Sequence, residues 1–194
     1  MQTLKEIEFK KIVTRRVFQA LMARFGVTPG DAVEQTNYYF DTPDLALSRR
    51  SMIMRVREKD GAFGVTLKVG ARGFANEYVL APLSPAEFRR LKAGGVKRPE
   101  WIRLIRQAGV DPDAVRFRRR LCTRRIMVKW EGGEICLDDN RYGRTRDYEL
   151  EYEVVEARRG KRLFVKLLAE FQLEPDLNPV SKSWRALTTG RVSG

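Results

Sequence analysis

The chain has no histidine and only two cysteines, Cys122 and Cys136, among 194 residues. Without imidazole there is no Ser-His-Asp or Cys-His nucleophilic machinery, no histidine metal ligand and no histidine proton shuttle. Two thiols are too few for a disulfide framework or a zinc site. Both lie in strand-like stretches, which points to buried free thiols. Any catalysis is left to carboxylates, Lys, Arg, Tyr or a bound metal. No apolar run is long enough to span a bilayer. The opening MQTLKEIEFK alternates apolar with charged positions and does not have the form of a signal peptide. The expectation is a soluble, cytoplasmic protein with no membrane contact.

Charge is what the chain has in excess. Its 38 Lys and Arg against 25 Asp and Glu leave a net +13, which calls for an anionic partner. Nucleic acid, an anionic membrane and a polyphosphate all fit that balance. The length and apolar content suit one globular domain spanning 1–194, with a small helical insert at about 84–112.

Strand and helix signals alternate along the chain. Glu6 to Val13 alternates in the strand manner, and Arg15 to Phe25 has helical spacing with Gly26 as its stop. Strands are expected at 35–41, 52–58, 63–69 and 76–80, the middle two forming a hairpin about Asp60-Gly61. Thr42-Pro43-Asp44 starts a short turn of helix. Ser84 followed by Glu87 forms a capping box for a helix to about Lys92, and a second helix covers 99–108. A long hairpin, 116–130 with 134–139, turns at Gly132-Gly133. A strand at 147–155 and a helix at 161–171 follow, and the tail at 178–188 is short and mixed. This is an α+β chain with about eight mostly antiparallel strands.

The strands carry charge on one face. Glu6, Glu8 and Lys10 share a face, as do Arg55 and Arg57, Thr66 and Lys68, Glu134 and Asp138, and Glu149, Glu151 and Glu153. A solvated sheet face would mix polar types. Like charges repeated along one strand face repel unless counter-ions sit among them. Carboxylate pairs suit a cation, and Arg and Lys clusters suit an oxygen-rich anion. A metal-bound polyphosphate supplies both. If the sheet closes, the charged faces line a lumen and helices cover the apolar faces outside, the reverse of an ordinary small barrel.

Glu6-x-Glu8-x-Lys10 resembles the signature of the CYTH superfamily, the triphosphate tunnel metalloenzymes. Tyr39-Phe40-Asp41-Thr42, Arg55-x-Arg57, Thr66-Leu67-Lys68, Leu121 to Arg125, Leu137-Asp138, Asp147 to Glu151 and Ser181-Lys182-Ser183-x-Arg185 follow in the family order. The resemblance covers nearly the whole chain and is closest to bacterial single-domain members. It implies an eight-stranded antiparallel closed tunnel with a charged lumen and helices packed outside. It implies that Glu6, Glu8, Glu149, Glu151 and Asp138 hold metal. It assigns triphosphate oxygens to Lys10, Arg55, Arg57, Lys68, Arg125 and Lys182, with Glu8, Lys10 and Arg57 carrying the catalytic part. Glu77 matches a further charged lumen position, and Glu153 continues the same face. Thr123 stands where some relatives carry a lysine that positions the attacking water, and Arg116, Arg118, Arg119 and Arg120 form a basic run just before it.

An all-oxygen ligand set selects Mg²⁺ or Mn²⁺ over zinc. Phosphoryl transfer then needs in-line positioning and charge neutralisation more than covalent help. The expectation is a metal-dependent triphosphatase acting on a triphosphate-containing small molecule. A class IV-type adenylyl cyclase and a non-catalytic triphosphate or polyphosphate sensor are the rivals. A nucleic-acid-binding barrel fits less well, because paired carboxylates repel a phosphate backbone and few aromatics lie on the charged faces. The sequence leaves the substrate open, and leaves a homodimer open.

Overall fold

The computed structural model describes residues 2–70, 74–79, 82–175 and 180–189, and of residues 2–6, 74–77 and 79 only the backbone. The strands are β1 (Gln2–Val13), β2 (Val33–Asp41), β3 (Met52–Lys59), β4 (Ala62–Val69), β5 (Phe74–Val79), β6 (Arg116–Trp130), β7 (Gly133–Tyr142) and β8 (Thr145–Val154). The helices are α1 (Arg15–Phe25), α2 (Ala46–Arg49), α3 (Pro85–Gly94), α4 (Pro99–Gln107), α5 (Ala157–Glu170) and α6 (Lys182–Thr188). Every strand pairing is antiparallel, in the order β1-β5-β4-β3-β2-β6-β7-β8. β1 pairs with β5 on one side and β8 on the other, which closes the sheet into a barrel.

Local chemistry sets the helix ends. Thr14 caps α1 through its side chain, and Gly26 ends it at φ 65°, a left-handed conformation that costs glycine little. Ser84 and Glu87 form a reciprocal capping box at the start of α3. Asp41, 1% exposed, accepts hydrogen bonds from the backbone N–H groups of Thr42, Leu47 and Ser48, and so ties α2 to the end of β2. Two helix boundaries differ from the sequence reading. α5 starts at Ala157 rather than Lys161, because the Glu156 side chain caps it by accepting from the Arg159 N–H. The tail forms α6, capped by the Ser181 hydroxyl.

Strand alternation divides the side chains. The outward faces of β2, β3 and β4 bury Tyr38, Phe40, Met54, Val56, Val65 and Leu67 against Phe88, Leu91, Trp101 and Ile105 of α3 and α4. On the other side, Ile126, Ile135, Leu137, Leu150 and Tyr152 pack under Phe18 and Leu21 of α1 and Phe164, Leu167 and Leu168 of α5. Each such fully buried side chain contributes about 1.5–3 kcal/mol by leaving water. The apolar core therefore lies outside the barrel, between sheet and helices. Gly133 permits the close turn from β6 into β7. A Cβ there would stand 2.5 Å from the Glu153 carbonyl oxygen and 2.6 Å from the Tyr152 ring.

A bulge between Tyr39 and Phe40 in the β2–β6 pairing shifts the register by one residue. Phe117 therefore faces outward beside Phe40, while Arg119 lies opposite Tyr39 on the inner face. The basic run of Arg116, Arg118, Arg119 and Arg120 is thus split. Arg116, Arg118 and Arg120 are exposed, and Arg119 donates to the carbonyl oxygens of Ala186 and Thr189 at 3.0 and 2.7 Å. That grip seats α6 on the inner faces of Tyr39, Leu121 and Tyr142, where Ala186 and Leu187 form a third apolar cluster. One end of the barrel is filled by this packing.

Candidate functional site

Residues paired across an antiparallel ladder share a face. β8 lies beside both β1 and β7, so Glu8 and Glu134 flank Glu153, and Lys10 and Cys136 flank Glu151. Arg125, Asp138 and Glu149 form the next row. Across the lumen, Arg57 pairs with Asn37, and Arg55 with Tyr39 and Thr66. Lys68 pairs with Glu77 by backbone register. The side chains of Glu6 and Glu77 lie outside the described residues. All the remaining charged positions expected to face inward share this inner face.

Opposite charges interleave here. Lys10 donates to Glu8 at 2.5 Å and lies 4.0 Å from Glu151. Arg125 makes a two-pronged pair with Asp138, Nε to Oδ1 and Nη2 to Oδ2 at 2.7 Å each, and also reaches Glu151 and Glu153. Lys182, carried in by α6, donates to Asp138 and to Glu151. Arg185, one turn on, donates to Glu149 at 2.8 Å and to Asp147 at 2.9 Å. Arg57 and Arg55 donate to Asn37 and Thr66, both at 3.2 Å.

Burial decides how these groups ionise. Burial alone would lower the Lys182 ammonium, but Asp138, Glu151 and Glu149 outweigh it and raise the pKa well above the usual lysine range. Lys10 is raised likewise against its burial by Glu8, Glu151 and Glu149. Burial would raise Glu151, but Lys182, Arg125 and Lys10 hold it well below the usual carboxylate range. Glu153 moves the other way. Its partial burial, together with Glu151, Glu8 and Glu134, raises it despite Arg125.

These shifts set a pH window for stability. Glu151 is depressed below 4.5, so its contribution is present above about pH 4.5 and is lost as pH falls through its folded value. Lys10 and Lys182 are raised above 10.5, so their contribution is present below about pH 10.5 and is lost as pH climbs through their folded values. Glu153 works weakly against folding above pH 4.5. Thermal midpoints are expected to form a plateau between about pH 5 and 10 and to fall at both ends. A midpoint that rises steadily through that range would contradict these shifts.

Carboxylate oxygens of Glu8, Glu151 and Glu153 lie within 4.8 Å of one another. Such a set of hard oxygen donors fits a divalent cation of the Mg²⁺ or Mn²⁺ kind. Glu149 Oε1 is buried with no hydrogen-bond partner, an acceptor that a bound ion or water would satisfy. Asp138, fully buried, has both oxygens engaged by Arg125 and Lys182. Glu153 was visible in the sequence as a continuation of the Glu149-Glu151 face. What brings it beside Glu8 is the β1–β8 register. Arg119 was legible only as part of a basic run. Thr123 is 1% exposed, and its hydroxyl donates to Asn140 at 2.8 Å. Asn140 in turn donates to Asp147. The hydroxyl at this position is committed to a structural hydrogen bond.

A charged, ion-paired lumen inside a closed antiparallel barrel defines the class of this protein. The chain belongs to the CYTH domain family, whose model matches residues 4–178. It is 32% identical over 170 residues to the "Putative triphosphatase YjbK" of Bacillus subtilis, covering 87% of each chain. Its fold matches that of a protein from Bacillus halodurans described as a "putative adenylate cyclase", with TM-score 0.85, 27% identity and coverage of 95% and 98% of the two chains. It also matches the fold of HpAC1 from Hippeastrum, with TM-score 0.72, 22% identity and 97% of each chain covered. Among the described residues, no helix is long and apolar enough to cross a membrane.

Proposed function

We propose that this CYTH protein is a metal-dependent triphosphatase whose substrate enters the barrel at the end opposite α6. The observation that carries the reading is the meeting, on one inner surface, of the Glu8–Glu151–Glu153 carboxylates with Lys10, Arg125 and Lys182. The similarity to YjbK supports hydrolysis as the reaction.

In this reading Lys10, Arg55, Arg57, Lys68, Arg125 and Lys182 hold the phosphate oxygens. The polar partners of Arg55 and Arg57, Thr66 and Asn37, fix their guanidinium groups on the far wall. Glu8, Glu151 and Glu153 would hold Mg²⁺ or Mn²⁺, with Glu6 and Glu149 as the further carboxylates of that set. The metal, when bound, neutralises charge on the phosphate oxygens and favours water as nucleophile. Asp138 acts on the basic side, as the anchor that orients Arg125 and Lys182. With Thr123 committed to Asn140, water positioning falls to the carboxylates and to Arg57. Hydrolysis adds water at the terminal phosphorus and breaks the bridging P–O bond, releasing orthophosphate.

The experiment is orthophosphate release from tripolyphosphate with Mg²⁺ or Mn²⁺, with cyclic AMP measured in parallel on ATP. Release that EDTA abolishes and added metal restores is the expected result. Cyclic AMP without phosphate release would instead make the protein a cyclase. Tight binding of tripolyphosphate with no turnover would make it a sensor.

A further inference from the structure

Charges of both signs interleave in the lumen, so most of the net +13 lies on the outside of the barrel. Part of it gathers on one stretch of the outer sheet face. Strand alternation turns Arg120 and Arg124 of β6, Arg141 of β7 and Arg146 of β8 outward, opposite to the inward Arg125, Asp138 and Glu149. The register brings them together. Arg141 stands directly opposite Arg146. Cys122 pairs with Arg141 and Arg124 with Asp139, so Arg120 and Arg124 flank Arg141 on its two diagonals, about 7 Å away. Lys92 of α3 extends the patch, its ammonium 5.5 Å from the ring of Tyr38, the residue paired with Arg120. Lys92, Arg120, Arg141 and Arg146 are exposed, and Arg124 is partly so.

The carboxylates on this face are already engaged. Asp139 accepts from Arg146 with both oxygens and lies 3.8 Å from Arg141. Glu34 lies 3.7 Å from Arg124, and Glu58 accepts from the Tyr38 hydroxyl. Arg120 makes no hydrogen bond or ion pair among the described residues. Arg141 facing Arg146 is a like-charge pair that costs stability, and a bound anion relieves it.

We propose that this outer arginine face binds the phosphate backbone of a nucleic-acid duplex without reading its sequence. Guanidinium groups match phosphate oxygens two at a time. A sheet holds them at a fixed pitch, which suits the regular phosphates of a polymer better than fluid lipid headgroups. The large exposed apolar side chains that would seat a face in a bilayer lie elsewhere, at Ile12, Met127, Val155 and Val180. Among the described residues, the rings here are not open to an unstacked base. Tyr38 is 8% exposed, Phe117 carries the Lys92 ammonium, and Tyr148 carries the Arg146 guanidinium. A duplex keeps its bases paired and its phosphates outward, so it is the partner that fits. The paired carboxylates that turn the lumen against nucleic acid lie on the other side of the sheet.

The test is fluorescence anisotropy with a labelled, mixed-sequence DNA duplex across a salt series. The native protein is expected to bind, with affinity falling steeply as salt rises. Arg120→Gln with Arg141→Gln is expected to weaken binding about tenfold at low salt and to make the log–log salt slope shallower by about two. Lys92→Gln, on a separate element, is expected to remove about one unit of slope. Lys161→Gln with Arg162→Gln makes the same charge change on α5, and Arg57→Ala alters the lumen. Both are expected to bind the duplex as the native protein does. An equal loss in the α5 variant overturns the proposal, because net charge alone then drives binding. An equal loss in Arg57→Ala overturns it in favour of the lumen. Absence of duplex binding at low salt also overturns it, as does tighter binding to phosphatidylserine vesicles or to single-stranded DNA than to the duplex.

Discussion

Arg125→Met is expected to lower the unfolding free energy by about 3–5 kcal/mol, the size of breaking one partner out of a buried ion network. Arg125 is the hub of the inner wall. It pairs with Asp138, fully buried, and with Glu151, whose side chain is 6% exposed, and it also reaches Glu153. Removing it leaves Asp138 to Lys182 alone, and leaves Glu151 to Lys182 and Lys10. The acidic set would then carry uncompensated charge in a site that solvent barely reaches. Adding Asp138→Leu to the same chain removes the worst-stranded carboxylate. The double variant is expected to recover at least about 1 kcal/mol relative to the sum of the single changes. Tripolyphosphate binding does not follow stability here. Both variants are expected to bind about ten- to a hundredfold more weakly, because the guanidinium that meets phosphate is gone in each. Urea denaturation and isothermal titration separate the two effects. A single variant within about 1 kcal/mol of native stability would show that the network does not hold the wall together.

Glu8→Gln is expected to reduce Mn²⁺-dependent turnover by roughly 10²–10³-fold, the size typical of losing one preorganised electrostatic group. Glutamine keeps the shape of the side chain and removes the charge that Glu8 brings to the triad with Glu151 and Glu153. Lys10 loses its 2.5 Å partner but remains within 4.0 Å of Glu151, so it stays charged and available to phosphate. Tripolyphosphate affinity measured without metal should therefore change little. Arg57→Ala is the contrasting change, since it removes a phosphate partner. Affinity and turnover should fall together, affinity by about ten- to a hundredfold. Equal, small effects of both substitutions on both quantities would mean that the inner face is not the site.

The alternation of Leu150, Tyr152 and Val154 with Glu149, Glu151 and Glu153 makes the two-faced character of β8 visible in the chain itself. The same holds for β1 and β3. A two-residue period maps directly onto opposite sheet faces, so no tertiary information is needed. Helix ends were legible where capping is local, as at Thr14, Gly26 and the Ser84–Glu87 box. They were less so at α5, where a lone Glu156 side chain moves the start by four residues, and at α6. α6 is only seven residues long. So short a helix is held by packing on the inner face and by Arg119, rather than by propensity.

The sequence by itself determined which residues are charged on which strand face, and that histidine chemistry and a disulfide framework are closed to this chain. Those are properties of composition and of the strand repeat. It did not determine which carboxylate meets which cation. Register between distant strands places Glu153 opposite Glu8 and Asp138 opposite Arg125. A single bulge turns Phe117 outward just beyond the inward Arg119, which grips α6, and α6 carries Lys182 to Asp138 and Glu151. That the inward Tyr39 and Tyr142 are covered was likewise decided in three dimensions, by the packing of α6 against them. Pairing, closure and covering bring together residues far apart in the chain, and a local pattern does not encode that geometry.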